Sequence, residues 1–159
     1  MARSTPAMAS ALPDLPMQQA VIVRLVRILA ASMTDYFDPV FRKTGLTENS
    51  FHVLCLLVAA DVGQASPSEL SELVGTSRAN MTRILEQLVQ DGLVSRTVVA
   101  LDARRHVIEI TPRGRKAAAA TVPRISAPLM QAFSALSPAR IAALGGALQS
   151  VIVALDEDR

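Results

Sequence analysis

The segment 66–92 constrains the fold of this chain more than any other part of the sequence. It opens with Ser66-Pro67-Ser68-Glu69, a capping-box pattern with proline at the first helical position, which starts a helix. Gly75 ends that helix, and Thr76 or Ser77 caps a second one that Asp91-Gly92 closes. Two helices joined by a short turn that contains glycine predict a helix-turn-helix over about residues 67–91.

Longer helical patterns flank this segment. From Met17 to Arg42, apolar residues recur every three or four positions on two sides, which predicts a helix buried between two partners. A second helix is predicted over Glu48–Ala60. Beyond the helix-turn-helix, Thr111-Pro112 caps a fifth helix that Pro123 and Pro128 should kink or interrupt. Ser137-Pro138 caps the last helix.

Two runs rich in β-branched residues, Val94–Ala100 and Arg105–Ile110, follow the helix-turn-helix. The stretch Leu101-Asp102-Ala103-Arg104 between them is the predicted tip, so the pair indicates a β-hairpin over residues 94–110. A hairpin directly behind a helix-turn-helix is a wing. The chain is therefore predicted to be mainly α (α+β), with a winged helix-turn-helix over about residues 47–111 between long terminal helices.

The composition favours one globular domain with an extensive interface. Of the 159 residues, 50% are apolar and 19% are charged, which excludes a disordered polar chain. The longest unbroken apolar run, Val53–Ala60, is far shorter than the roughly 20 residues of a spanning helix, so we expect no membrane segment. Residues 1–16 contain three prolines and should form a flexible leader. The surplus apolar surface is expected in a subunit interface, where the last helix offers a stripe of Leu144, Leu148, Val151 and Leu155.

Cysteine and histidine are scarce. One cysteine, Cys55, and two histidines give no internal disulfide and too few ligands for a typical metal site. Cys55 lies in the apolar second helix, where burial should raise its pKa and make the thiol unreactive. We therefore expect a protein of the reducing cytoplasm, with no metal and no cofactor.

Positive charge is concentrated in the middle of the chain. Residues 76–116 hold eight arginines and lysines against four acidic residues, and the rest of the chain has a net negative charge. Fourteen of the sixteen cations are arginine, the side chain suited to two-pronged contacts with guanine and phosphate. A polyanion is the expected partner of this region.

The second helix of the helix-turn-helix has one apolar face and one face with small and polar residues. Such a helix suits the DNA major groove, where its N-terminal residues meet base edges. Arg78 and Arg83 are the predicted base contacts, and Asn80 and Thr82 are expected to add selectivity. An ordinary amphipathic surface helix is the alternative. The predicted DNA-binding residues here are Ser77, Arg78, Ala79, Asn80, Thr82 and Arg83.

The wing carries cations beside its predicted tip. Arg104 and Arg105 are expected to reach the adjacent minor groove, whose narrow regions attract arginine. Asp102, two residues before Arg104, is predicted to hold one guanidinium in a fixed direction. The alternative is a solvated turn with a weak local ion pair.

In the order of these elements and in three motifs, the chain resembles the MarR family of transcription regulators. The motifs run from Thr76 to Arg83, over Asp91-Gly92-Leu93-Val94, and from Asp102 to Gly114, where Ile110 replaces the family's leucine. The resemblance covers about residues 18–156. It implies an obligate homodimer joined by helices within 17–42 and 112–156, which binds pseudo-palindromic operators and is usually a repressor released by a small ligand.

The resemblance also implies an effector site between the dimerisation helices and the winged domain, often for phenolic or aromatic carboxylates. Four of the five aromatic residues lie between positions 36 and 51. Tyr36, Phe51 and His52 are the predicted pocket residues, with Arg24 as a carboxylate partner. Tyr36 and His52 are preferred because a polar tip needs a partner when buried. The alternative is that these aromatic side chains only fill the core.

Other functions fit the sequence less well. A metal-sensing winged helix would need more cysteine and histidine, and an enzyme built on His52 and Cys55 would have no nameable oxyanion donor. A winged helix that binds only proteins would not need arginines on its recognition face and wing. We therefore predict a homodimeric regulator whose partners are double-stranded operator DNA, a second copy of the chain and a small aromatic carboxylate.

Overall fold

The computed structural model describes residues 11–99 and 102–157, leaving out the side chains of residues 98, 99 and 102–105. Residues 1–10 of the predicted leader therefore lie outside the described residues. The predicted helices and hairpin are confirmed, and the structure adds one short strand. In chain order the elements are α1 (Met17–Arg42), α2 (Glu48–Ala59), β1 (Gln64–Ala65), α3 (Pro67–Val74), α4 (Arg78–Gln90), β2 (Val94–Val99), β3 (Asp102–Ile110), α5 (Pro112–Ala132) and α6 (Pro138–Glu157).

The chain divides into two compact units, Met1–Glu48 and Asn49–Arg159. The described part of the first unit consists mainly of α1, in which Phe37 and Phe41 are buried. Most other apolar side chains of α1 are exposed, so the predicted burial on two sides is not achieved within a single chain. The exposed ones include Ile22, Val23, Leu25, Val26, Ile28 and Leu29.

The second unit is built around the helix-turn-helix and the sheet. Helices α3 and α4 pack on each other, α3 contacts β3, and α4 contacts β2. Apolar side chains from α2, α3, α4 and β3 are buried, which places the core of the unit behind α4. The most deeply buried are Val53, Leu54, Leu57, Leu70, Met81, Leu88 and Ile108.

The described strands form an antiparallel sheet in the order β1-β3-β2. Between β2 and β3, Val94 pairs with Ile110 and Val98 with His106, but Val99 pairs with Asp102. Residues 103–105 thus have no counterpart on β2, which makes this a register break. The predicted tip was wrong in its bounds: Asp102, Ala103 and Arg104 belong to β3 rather than to the turn.

Thr111 joins the base of the hairpin to α5. Its hydroxyl donates to the carbonyl oxygens of Gly92 (2.8 Å) and Leu93 (3.0 Å) and accepts from the N–H of Gly114 (3.0 Å). Its own N–H donates to the carbonyl of Leu93 at 3.1 Å. One side chain therefore caps α5 and closes the strand pair at the same point.

The two C-terminal helices differ in part from the prediction. Helix α5 continues through Pro123 and Pro128, so the prolines do not interrupt it. Helix α6 buries no residue within the described chain. By length and composition α6 could cross a membrane, with a mean hydropathy of 1.5 in its most apolar window. Counting only unbroken apolar runs did not reveal that α6 is long and apolar enough to cross a membrane. An apolar helix that packs within a soluble protein has the same length and composition.

Gly114 generates a stability prediction. A Cβ at this position would collide with the carbonyl oxygen of Leu93 and press on Ile110. Helix propensity alone favours alanine by about 1 kcal/mol, but overpacking against backbone costs about 1–3 kcal/mol or more. We expect Gly114→Ala to lower the free energy of unfolding in denaturant titrations. The exposed Lys116→Ala is the control, expected to stay within about 0.5 kcal/mol; a stabilised Gly114→Ala would contradict this packing.

Candidate nucleic-acid interface

Helix α3, which precedes the turn into α4, has a defined start and a defined end. Ser66 and Glu69 form the predicted capping box, in which the N–H of Glu69 donates to Ser66 Oγ at 3.2 Å. Gly75 has a φ of 70°, and the backbone N–H of Thr76 donates to the carbonyl of Ser71 at 3.0 Å. A left-handed glycine with this bond is the Schellman ending of a helix, so α3 stops at a defined residue.

Helix α4 starts at a capped residue and separates two faces as the sequence predicted. Ser77 is the cap, accepting the N–H of Asn80 at 3.2 Å. Met81, Ile84, Leu85 and Leu88 are buried. On the other side Asn80 is half-buried, and the remaining predicted DNA-binding residues are exposed: Ser77, Arg78, Ala79, Thr82 and Arg83.

Polar side chains at the start of α4 are bonded to one another. Asn80 Nδ2 donates to Thr76 Oγ1 at 2.8 Å, and Arg83 Nη2 donates to Asn80 Oδ1 at 3.1 Å. The Thr82 hydroxyl donates to the carbonyl of Arg78 at 3.0 Å. Sequence analysis did not find the role of Thr76, although its position four residues before Asn80 is a signal for such a bond.

The wing begins where α4 ends. The N–H of Leu93 donates to the carbonyl of Leu88, and that of Gly92 donates to the carbonyl of Val89, both at 2.9 Å. These bonds are a second Schellman ending, after which β2 follows at once. The side chains of Asp102, Arg104 and Arg105 lie outside the described residues, so the predicted pairing at the tip stays a prediction.

The described residues include a cation on the wing that sequence analysis did not single out. Arg96 lies on β2 opposite Ile108 and is exposed. His106 is half-buried on β3, and among the described residues its Nδ1 is a buried atom with no hydrogen-bond partner. Exposed cations at Arg78, Arg83 and Arg96 give the α4–wing surface a positive charge on both of its elements.

The predicted effector residues differ in their exposure to solvent. Phe51 is buried. Tyr36 is 46% exposed, with its ring edge-on to Phe37 at 5.0 Å between centroids, and Arg24 and His52 are exposed. Tyr36 and His52 were preferred because a polar tip needs a partner when buried; within a single chain both side chains are exposed, and their role in effector binding stays a prediction.

A small open cavity lies between α2 and α5. Its volume is about 260 Å³, and its walls are almost entirely apolar. Cys55 is half-buried in it, and burial raises the pKa of the thiol, as predicted. This cavity was not predicted from the sequence. The lining residues are Cys55, Val58, Arg115, Ala118, Ala119 and Val122.

Comparison with known proteins decides the family. The sequence profile of the MarR family matches residues 46–106. The transcriptional repressor MprA of Escherichia coli is 30% identical over 129 residues, which cover 81% of this chain and 73% of MprA. The chain belongs to the MarR family. It is a DNA-binding transcriptional regulator with a winged-helix fold, and the resemblance noted in the sequence is confirmed.

A further relative and two solved structures are similar to this chain. The repressor YetL of Bacillus subtilis is 33% identical over 87 residues, 55% of this chain and 52% of YetL. The DNA complex of Sco3205, a MarR family regulator from Streptomyces coelicolor, superposes with a TM-score of 0.79 at 21% identity, covering 87% of this chain and 88% of Sco3205. BpsR of Bordetella bronchiseptica, whose DNA binding is regulated by 6-hydroxynicotinic acid, superposes with a TM-score of 0.73 at 24% identity. The superposition covers 82% of this chain and 97% of BpsR.

Proposed function

We propose that this regulator is a cytoplasmic repressor that inserts α4 into the DNA major groove as part of a homodimer. The observation that carries the proposal is the division of α4 into a buried apolar face and an exposed face with Arg78, Ala79, Thr82 and Arg83. Small side chains beside arginine let a helix approach base edges closely. The names of MprA and YetL support repression.

The wing supplies the second set of contacts in this proposal. Only three residues separate the hairpin from α4, so in this proposal Arg96 on β2 is carried towards the DNA backbone together with α4. From the sequence we further propose that Arg104 and Arg105 reach the minor groove and that Asp102 orients one of them. In a two-fold dimer the half-sites would be centred about 10 base pairs apart.

Replacing Arg83 tests the proposed base contact. Arg83→Ala should weaken binding to the operator by about 1–3 kcal/mol per half-site and relax the base preference at one position. Fluorescence anisotropy on specific and scrambled duplexes measures both effects. Arg124→Ala removes one charge from exposed α5 and is the matched control. Equal losses for the two variants on both duplexes would show that Arg83 contributes only general charge.

The dimer is proposed from apolar surface that one chain leaves uncovered. On α6, Leu148 is 37% exposed, Val151 56% and Leu155 63%, and the apolar residues of α1 are exposed in the same way. Patches of this extent on a soluble protein mark an interface. Leu144 of the predicted stripe is half-buried. We propose that a second copy covers these helices, rather than a membrane covering α6.

A charge within the stripe tests the dimer. Leu148→Asp should give a monomer or an insoluble protein, because the interface would bury an unpaired carboxylate. Gln149→Asp places the same charge off the stripe on exposed α6 and should stay dimeric. Sedimentation of the unmutated chain in detergent-free buffer is the reference. A soluble, folded monomer at micromolar concentration, or a need for detergent, would contradict the proposal.

We also propose that a small aromatic carboxylate regulates DNA binding through the α2–α5 cavity. The support is an apolar cavity that has Arg115 among its lining residues, a combination suited to an apolar acid. The ligand named for BpsR is of this class. Arg24, Tyr36 and His52 stay candidates for effector contact, whereas Phe51 serves the core.

The reactivity of the Cys55 thiol can be used to detect a ligand in this cavity. Because its pKa is raised, less thiolate is present at neutral pH, so labelling by an aromatic disulfide should be slow and should speed up as the pH rises. Benzoate or 6-hydroxynicotinate should slow labelling further and weaken DNA binding. Benzamide, which lacks the charge, should do neither. Unchanged labelling with the acids, in a protein that they still release from DNA, would place the effector elsewhere.

A further inference from the structure

Asn80 was expected to add selectivity by contacting DNA, but both ends of its amide are used inside the protein. Nδ2 donates to Thr76 Oγ1 at 2.8 Å, and Oδ1 accepts from Arg83 Nη2 at 3.1 Å. The side chain is half-buried, whereas Arg83 is exposed. We propose that Asn80 is a positioning residue, which fixes the guanidinium of Arg83 for base reading. The inference rests on the proposed role of Arg83 in DNA binding.

The hydrogen-bonded chain from Thr76 through Asn80 to Arg83 is called the relay here, and the chemistry of its three groups sets its direction. A guanidinium has donors only, so the amide must turn its oxygen towards Arg83. Its nitrogen then faces Thr76, whose hydroxyl oxygen accepts. An amide turned the other way would set two donors against each other at Arg83.

The relay is anchored outside α4. The backbone N–H of Thr76 donates to the carbonyl of Ser71 in the last turn of α3 at 3.0 Å. The N–H of Asn80 is held by the cap Ser77 at 3.2 Å. Arg83 is therefore linked through one amide to the end of the preceding helix, so its orientation depends on the turn as well as on its own rotamer.

This arrangement costs Arg83 little of its capacity to read DNA. One of its five N–H donors is used, and four remain for a two-pronged contact with guanine. An exposed arginine must otherwise give up rotamer freedom when it binds, and a side chain ordered beforehand gives up less. Asn80 should thus raise affinity and base preference without touching a base.

A double-mutant cycle tests the coupling. Asn80→Ala should weaken specific binding about three- to tenfold in the unmutated background and broaden the base preference at the position that Arg83 reads. In the Arg83→Ala background the same change should have almost no effect. The variants should share one melting temperature. Additive losses, or a broadened position different from that of Arg83→Ala, would overturn the inference.

Thr76 supplies a matched pair of variants. Thr76→Val keeps the shape and removes the acceptor, so it should reproduce the broadened preference, and Thr76→Ser should restore it. Unchanged specificity in Thr76→Val would also overturn the inference. Nitrogen-15 relaxation of the Arg83 side chain in the DNA-free protein tests the relay separately from the proposed DNA-binding function. An Arg83 Nε–H that is ordered in the unmutated chain and becomes mobile in Thr76→Val supports the relay. Failure of the unmutated chain to prefer an operator would contradict the proposed function and not the relay.

Discussion

The bonds that Thr111 makes at the base of the hairpin hold the candidate nucleic-acid interface together. Its hydroxyl contacts the carbonyls of Gly92 and Leu93 and the N–H of Gly114, so it joins the end of α4, the start of β2 and the start of α5. Gly114 has no side chain where the Leu93 carbonyl approaches. Because these groups meet at one point, α4 and the wing are fixed to each other across a connection of three residues. The position of the wing relative to α4, and with it the rest of the candidate interface, depends on this junction.

The second physical constraint is apolar surface without a cover. Helices α1 and α6 expose aliphatic side chains along much of their length, whereas α3, α4 and β3 bury apolar side chains in a core within the chain. Burial of apolar area contributes roughly 25 cal/mol per Å², so the uncovered faces represent a large unused driving force. A second copy of the chain would use it and would present two recognition helices to one duplex.

Local chemistry made the helices and their ends predictable. The capping box at Ser66, the glycines at 75 and 92 and the cap at Ser77 act through neighbouring backbone groups, so their consequences can be worked out from adjacent residues. The features that were missed depend on distant parts of the chain. Strand β1 has two residues and exists because β3 lies beside it. The register break at Val98/Val99 and the α2–α5 cavity likewise require the three-dimensional packing.

The candidate site divides in the same way. Helical periodicity was enough to separate the two faces of α4, but it could not show that Asn80 is engaged by Thr76 and Arg83, because rotamers decide that. It also could not show that Tyr36 and His52 are exposed, since an apolar neighbourhood in sequence is not a buried neighbourhood in space. Pro123 and Pro128 were expected to kink or interrupt α5; the helix is continuous across both, which excludes an interruption and leaves the kink a prediction. Removing two backbone donors from an otherwise packed helix did not end it.

The central claim is that two copies of α4 read successive major grooves of one operator. Methylation interference tests it most directly, because a methyl group on guanine N7 blocks the major-groove contact that arginine makes. With the DNA upstream of its own coding sequence, the protein should be excluded by methylation at two clusters of guanines. The clusters should lie on one face of the duplex, with centres about 10 base pairs apart. Binding that ignores guanine methylation, or interference at a single cluster, would contradict the account.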